Sequence, residues 1–435
     1  AHDGPRLPVG VRPAASVPAV MRPIDGSTSA GGARPKAPRG FGVIWATVAL
    51  DMVGFGILLP VLPLYAEDFG ASPATAAALV AVFSAAQMVA APLWGRLSDR
   101  IGRRTVLVAA LVGSCLGSLV TGLAGALWVL FAGRVLDGFS GSSYAVGQAA
   151  VADLAEPEDR PRLMGMLAAA FGVGFVAGPL IGSIAALGSR ELPFFVAAVL
   201  AGANALVALV RLPARTAGGG LAPSASKPGR LALWGSAGPA VRRLATLALV
   251  SMVGFAGFEA TFALLLERRF PEVGDPTVYG LFACIGLLMV LIQTRVVGPA
   301  NALLGTRATL RVALVAVAAG MVVLAAGGGW VGLSVALVLL VVGQGVFGPT
   351  LSHATVETVG DAGRGAALGL QQGAGALGRI VGPLLAGVLM DRVGVGAPYL
   401  VAAALTVVAL AVVPRSNGAA GVADGATDGA GGDQD

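Results

Sequence analysis

The sequence predicts an all-α polytopic membrane protein with twelve transmembrane helices in two pseudo-symmetric six-helix bundles. Three observations carry that expectation. First, 56% of the 435 residues are hydrophobic and only 12% are charged, with a mean hydropathy of +0.83. That is too little polar surface to cover a soluble chain of this length. Second, apolar runs of about 20 residues recur, each long enough to cross a hydrocarbon core about 30 Å thick. They lack the alternating polarity of barrel strands, so they read as helices. Third, the chain echoes itself at an offset of 203 or 204: Gly95, Gly102 and Arg104 recur as Gly298, Gly305 and Arg307, while "MGML" at 164 and "GPLIG" at 178 recur as "ALGL" at 367 and "GPLLAG" at 382.

Taken in order, residues 1–40 hold Arg6, Arg12, Arg22, Arg34, Lys36 and Arg39 among Pro, Gly, Ala and Ser. No apolar core of the kind a cleaved signal peptide needs is present there, which reads as a disordered, cytoplasmic basic arm. The N-terminal bundle follows over 41–212, with spans expected at 41–65, 74–94, 105–123, 126–150, 164–187 and 192–212. Segment 213–243 is the longest polar interruption and reads as a cytoplasmic central loop. The C-terminal bundle covers 244–413, with spans expected at 244–266, 277–297, 308–327, 330–352, 366–389 and 397–413. The tail 414–435 is Gly/Ala-rich, carries Asp424, Asp428, Asp433 and Asp435, and reads as disordered. Two such bundles around a midplane cavity form a common transporter plan.

Positive charge orients the chain. With both termini in the cytoplasm, 23 of the 29 Lys and Arg residues fall in inside segments, four fall outside (Arg190, Arg268, Arg269, Arg392) and two, Arg134 and Arg379, lie within spans. Basic loops resist translocation, so this bias sets topology. The net charge of +6 is therefore a membrane signal and not a nucleic-acid footprint. Cys115 and Cys284 lie inside expected spans and imply neither a disulfide framework nor a metal site.

The densest charge is "GRLSDRIGRR", residues 95–104. Solvation of a cytoplasmic turn accounts for Arg100, Arg103 and Arg104. Gly95 and Asp99 ask for more: Gly95 admits close approach of another helix, and Asp99 can accept from a helix N-terminus or pair with an arginine. "GRLSDRIGRRTVL" resembles the loop signature of the major facilitator superfamily. "DMVGFGILLPVLPLY" at 51, "FAGRVLDGFSGSSYAVGQAAVADL" at 131 and "GVGFVAGPLIGS" at 172 are similar to segments of its twelve-span drug:proton antiporters, including tetracycline-type and multidrug exporters. The resemblance spans nearly all of 41–413. It implies the major facilitator fold, alternating access, proton-driven export, a cytoplasmic latch at Gly95, Asp99, Arg100, Gly102, Arg103 and Arg104, and an antiporter motif at Gly174, Gly178, Pro179 and Gly182. Two positions depart from the pattern: Ser183 replaces a usual Gly, and Asp137 stands where a Gln is usual. The third span also lacks the acid expected of tetracycline exporters.

Ionisable groups inside spans are costly unless paired or hydrated, so Asp51, Arg134, Asp137, Glu259 and Arg379 are candidate functional residues. Arg134 and Asp137 share one helix face, as either a self-neutralising structural pair or a proton site that Arg134 tunes. Asp51 sits mid-span, for proton coupling or for packing. Glu259 is open to substrate binding, proton coupling, or pairing with Arg379 across the half interface. Gly174, Gly178 and Gly182 form a smooth stripe that Pro179 can bend, read as a seal against the opposite half. Candidate cavity groups are Gln87, Gln148, Gln293, Gln344, Gln371, Gln372, Tyr65, Tyr144, Phe258 and Arg379. So few polar groups suit an amphipathic organic ligand better than a sugar. His353 reads as structural.

The function expected is a proton-coupled antiporter exporting a hydrophobic or amphipathic organic compound across the bacterial cytoplasmic membrane. It would act as a monomer, with the proton gradient as energy source, no cofactor, and small molecule, protons and lipid as partners. The alternative is a proton-coupled metabolite symporter on the same fold. An enzyme is disfavoured because the only histidines are His2 and His353, and no nucleotide-binding loop is present.

Overall fold

The computed structural model describes residues 40–156, 159–212, 237–272, 274–359 and 363–413, with Pro38 and Gly235. The basic arm, most of the central loop and the tail lie outside the described residues. The helices are α1 (Phe41–Glu67), α2 (Pro73–Ile101), α3 (Arg103–Gly122), α4 (Leu127–Ser140), α5 (Ser143–Leu154), α6 (Arg160–Ala186) and α7 (Leu192–Arg211). The second set comprises α8 (Pro239–Arg269), α9 (Asp275–Arg295), α10 (Val297–Leu304), α11 (Thr306–Ala326), α12 (Gly329–Thr358), α13 (Arg364–Arg392) and α14 (Ala397–Val412).

Among the described residues, ten helices are long and apolar enough to cross a membrane. The final expected span is α14, a shorter apolar helix of 16 residues. The fourth expected span is not one helix: it breaks at Gly141–Ser142 into α4 and α5. Backbone groups released within a membrane must find partners. Two side chains of α2 supply them, since Gln87 Nε2 donates to Gly141 O (2.6 Å) and Trp94 Nε1 to Phe139 O (2.5 Å).

The internal echo has a backbone cause. Gly102 (φ +93°) joins α2 to α3, and Gly305 (φ +75°) joins α10 to α11. Both adopt a conformation that glycine reaches without a Cβ penalty. The copies differ upstream. α2 runs unbroken to Ile101, whereas its C-terminal counterpart stops at Arg295 and restarts as α10, where Pro299 has no amide to bond the preceding turn.

Within each half, glycines set the closest packing. A Cβ at Gly178 would lie 2.6 Å from Gly56 Cα, one at Gly174 would lie 2.6 Å from Met52 Cβ, and one at Gly182 would lie 3.0 Å from Ile57 O. The stripe therefore seats α6 on α1 of its own bundle, not on the opposite half as expected. A smooth strip goes where backbones approach most closely, and α6 meets the opposite half through another face, where a Cβ at Gly172 would lie 2.9 Å from Val290. The repeat reproduces the arrangement, with Gly378 against Met252 and Gly382 against Gly257 joining α13 to α8.

The two halves meet where α2 packs on α13, α6 on α9 and α1 on α8. At the face away from the termini, one continuous core cluster includes Ile57, Tyr65 and Phe194 of the first half with Phe262, Leu265 and Tyr399 of the second. At the termini face the cores separate, one around Ile44, Val146 and Leu167, the other around Val241, Ala245 and Leu370. Glycines report the same asymmetry. A Cβ at Gly387 would lie 2.7 Å from Ala77 Cβ across the α2–α13 seam, whereas one at Gly95, Gly365 or Gly369 would meet nothing within 4 Å. The halves are shut at the far face and apart at the termini face.

Candidate functional site

A cavity of about 60 Å³ lies between the halves, lined by Asp51 and Phe55 of α1, Phe83 and Gln87 of α2, Ser114 and Ser118 of α3, Asp137 of α4 and Arg379 of α13. It has room for a few waters, far below the roughly 300–1,000 Å³ that encloses a drug-sized ligand. The residues, not the present volume, define the site.

Asp137 is seated by glycine. A Cβ at Gly117 of α3 would lie 2.8 Å from Asp137 Cβ, so α4 approaches α3 closely at this level. Ser114 Oγ then donates to Asp137 Oδ1 (2.5 Å), and Arg134 Nη1 pairs with Asp137 Oδ2 (3.0 Å). Both members of the pair are buried, their side chains 3% and 7% exposed. Arg134 Nη2 donates to Thr121 (3.3 Å), and the guanidinium lies 6.0 Å from the Phe83 ring centre. Its Nε is buried with no acceptor. The pair is a locked unit on the cavity wall.

Asp51 is arranged differently. It lines the same cavity, has the Ser143 hydroxyl at the start of α5 within reach, and forms no ion pair among the described residues. Arg379 enters from the opposite half and likewise has no carboxylate at ion-pair distance among the described residues. The structure thus brings Asp51, Asp137 and Arg379 to one place and leaves Glu259 out. Glu259 is buried, with Oε1 lacking a hydrogen-bond partner. Of the readings open for Glu259, pairing with Arg379 across the half interface does not hold as such: both residues belong to the second half, and they interact electrostatically without forming an ion pair.

Other expected cavity groups have structural duties. Tyr65 is buried against Phe69 and Phe194 in the far-face core. Phe258 is buried in an aromatic ladder with Phe255 and Phe262, beside a small apolar void also lined by Gln344. Gln344 accepts from Ser251, and Gln371 ties α13 to α12 by accepting from Thr355 (2.6 Å) and donating to Ser352 (3.2 Å). Tyr144 pairs with Gln148 along α5. Gln293 and Gln372 are exposed. His353 lies 3.5 Å from Glu357 one turn on, both more than half exposed.

Residues 44–298 and 275–428 match the family model of the Major Facilitator Superfamily. The chain belongs to that superfamily. It is 33% identical to the tetracycline resistance protein, class C, of Escherichia coli over 383 residues, covering 86% of this chain and 96% of that protein. It is 25% identical to multidrug resistance protein 2 of Bacillus subtilis over 375 residues, 85% of this chain and 93% of that protein. Among solved structures, a human organic anion transporter superposes with a TM-score of 0.66 at 24% identity, covering 88% of this chain and all of that one. The fold expected from sequence is the fold found.

The loop signature of this Major Facilitator Superfamily protein centres on Arg103. Its guanidinium pairs with Asp99 (2.7 Å) and with Asp153 at the end of α5 (3.1 Å), and donates to Ser98. Arg104 donates to Leu209 O, anchoring α3 to α7, while Arg100 is exposed. Asp99 therefore takes its arginine partner, and the latch is entirely within the first half. Gly95 admits no close helix here, because the seam is open at this face. In the second half the corresponding contact is neutral on one side, Thr306 donating to Glu357 (3.3 Å).

Sequence reading missed Asp153, whose partner lies fifty positions away. It also missed the far-face cluster of Glu67, Asp68, Arg190, Glu267 and Arg268. Arg190 pairs with Asp68 (2.7 Å) and Glu267 (3.7 Å), and Arg268 with Glu67 (3.5 Å). A signal existed, since Glu67 and Glu267 occupy matching ends of the first helix of each half.

Proposed function

We propose that this chain is a proton-coupled antiporter that exports a hydrophobic or amphipathic organic compound across the bacterial cytoplasmic membrane by alternating access, as a monomer with the termini face in the cytoplasm. The observation that carries this reading is the meeting of Asp51 and Arg379, from opposite halves, in one cavity walled by the Arg134–Asp137 pair. Resistance to tetracycline and to multiple drugs among the relatives supports a drug-like cargo.

Asp51 is the proton carrier in this reading, because a carboxyl without an ion pair exchanges its proton without breaking one. Asp137, paired with Arg134 and accepting from Ser114, sets the field in the cavity. Arg379 offers its guanidinium to an anionic oxygen of the cargo or to the Asp51 carboxylate. Rocking of the halves moves Arg379 relative to Asp51, so cargo and proton replace one another.

Everted proteoliposomes with an acid interior test this, with tetracycline as probe. Accumulation is expected, abolished by an uncoupler and by Asp51→Asn in protein that remains folded. Accumulation indifferent to collapse of the gradient overturns the reading.

A further inference from the structure

The far-face cluster is the only charged network among the described residues that ties one half to the other. Glu67 and Asp68 stand at the end of α1, Arg190 in the turn between α6 and α7, and Glu267 and Arg268 at the end of α8. Two of its ion pairs, Arg190–Glu267 and Arg268–Glu67, cross the seam. The cluster therefore exists in this form only when the far face is shut.

Its charges do not balance. Three carboxylates face two guanidiniums, and the Glu67 and Glu267 carboxyls lie within hydrogen-bonding reach of each other across the seam. Glu267 Oε1 faces Arg190, but Oε2 is buried and receives no hydrogen bond. Two ionised carboxylates at contact repel, and a buried carboxylate oxygen without a donor is costly. One proton between them cures both faults: it supplies the missing donor and makes the cluster neutral. The neighbouring charges do not substitute for it. Arg269 is committed to the carbonyls of Leu324 and Ala325 (the latter at 2.8 Å), Glu191 adds negative charge that the Ser189 hydroxyl holds in its ionised form, and Glu272 is exposed.

We propose that Glu67 and Glu267 form a second proton-binding site, separate from the central cavity, in which one shared proton bridges the two halves and holds the far face closed. The closed state binds one proton more than the open state, so rising pH favours opening. For one linked proton the open-to-closed ratio changes by up to about tenfold per pH unit. With the far face outside the cell, external acid would favour closure after cargo release, the direction an exporter needs.

The test uses the full chain in lipid nanodiscs, with both native cysteines replaced (Cys115→Ala, Cys284→Ala). Spin labels go on Leu187→Cys and Val393→Cys, which are 70% and 71% exposed at the far face of opposite halves. An Asp51→Asn background silences the proton carrier assigned to the cavity. Inter-label distances are measured from pH 5 to 9. The short-distance population should dominate at low pH and decline as pH rises. Glu267→Gln and, separately, Glu67→Gln should abolish that dependence and keep the short distance throughout, because an amide donates without a proton. A wild-type pair whose distances ignore pH overturns the proposal, as does a pH dependence that survives in both glutamine variants. Neither outcome depends on transport, so failure here is distinct from failure of the antiport reading.

Discussion

Neutralising Asp137 should destabilise the whole protein, not merely silence transport. Arg134 is 3% exposed and has few partners: Asp137 at 3.0 Å, the Thr121 hydroxyl at 3.3 Å and the Phe83 ring at 6.0 Å. Asp137→Asn removes the only anion paired with Arg134 among the described residues and offers nothing new, while Arg134 Nε already lacks an acceptor. Breaking a buried ion pair by removing one partner costs about 3–5 kcal/mol, since the other charge remains in a medium that cannot solvate it. Arg134→Met should cost a similar amount, leaving Asp137 with Ser114 alone. The double variant Arg134→Met/Asp137→Asn removes both charges, and the asparagine oxygen can still accept from Ser114. It should therefore recover to within about 1–2 kcal/mol of wild type, a coupling of several kcal/mol between the two sites. Reversible unfolding of the purified protein in mixed micelles with increasing SDS measures each free energy. Single variants as stable as wild type, or a double variant as unstable as the sum of the singles, would refute the unpaired-charge argument. The stable double variant should still fail to transport, which separates folding from coupling.

Three glycines give contrasting expectations. Gly178→Ala places a methyl 2.6 Å from Gly56 Cα, so α6 and α1 must part by about 1 Å, at a cost of about 1–3 kcal/mol in the same unfolding assay; an unchanged stability would contradict the packing. Gly95→Ala meets open space in this conformation. It should leave stability unchanged or raise it by up to about 1 kcal/mol, yet slow transport if the termini face closes there, and an unaffected turnover would remove that role. Gly102→Ala places a side chain at φ +93° and should cost about 1–3 kcal/mol, with thermal unfolding as the readout and no loss as the contrary result.

Local chemistry was legible in the sequence because neighbours along a helix are neighbours in space. Arg134 and Asp137, three residues apart on one helix, were read as a pair and are one. Gly102 and Gly305 were read as a repeat, and each occupies the same positive-φ turn. Partners distant in sequence were not legible. Asp153 completes the Arg103 latch from another helix, and Arg190 reaches both Asp68 and Glu267. Nor does hydropathy register a broken backbone, so the interruption between α4 and α5 was invisible, and with it the second duty of Gln87, which lines the cavity and also holds the Gly141 carbonyl. Composition could not separate Tyr65, packed on Phe194 in the far-face core, from Phe258, which borders a small void, because an aromatic side chain suits a helix interface and a ligand pocket equally well.

By itself the sequence determined the membrane class, the number and order of spans and the doubling of the bundle, because hydrocarbon thickness and the demand for internal backbone bonding leave a long apolar run few choices. It also determined which charges are stranded in oil. Only the tertiary structure decided how those charges sort: Asp51, Asp137 and Arg379 around one cavity, Glu259 apart from them, and Glu67 facing Glu267 across a closed seam. That sorting depends on how closely glycine-faced helices approach and on which end of the molecule is shut, and both are properties of packing between elements far apart in the chain.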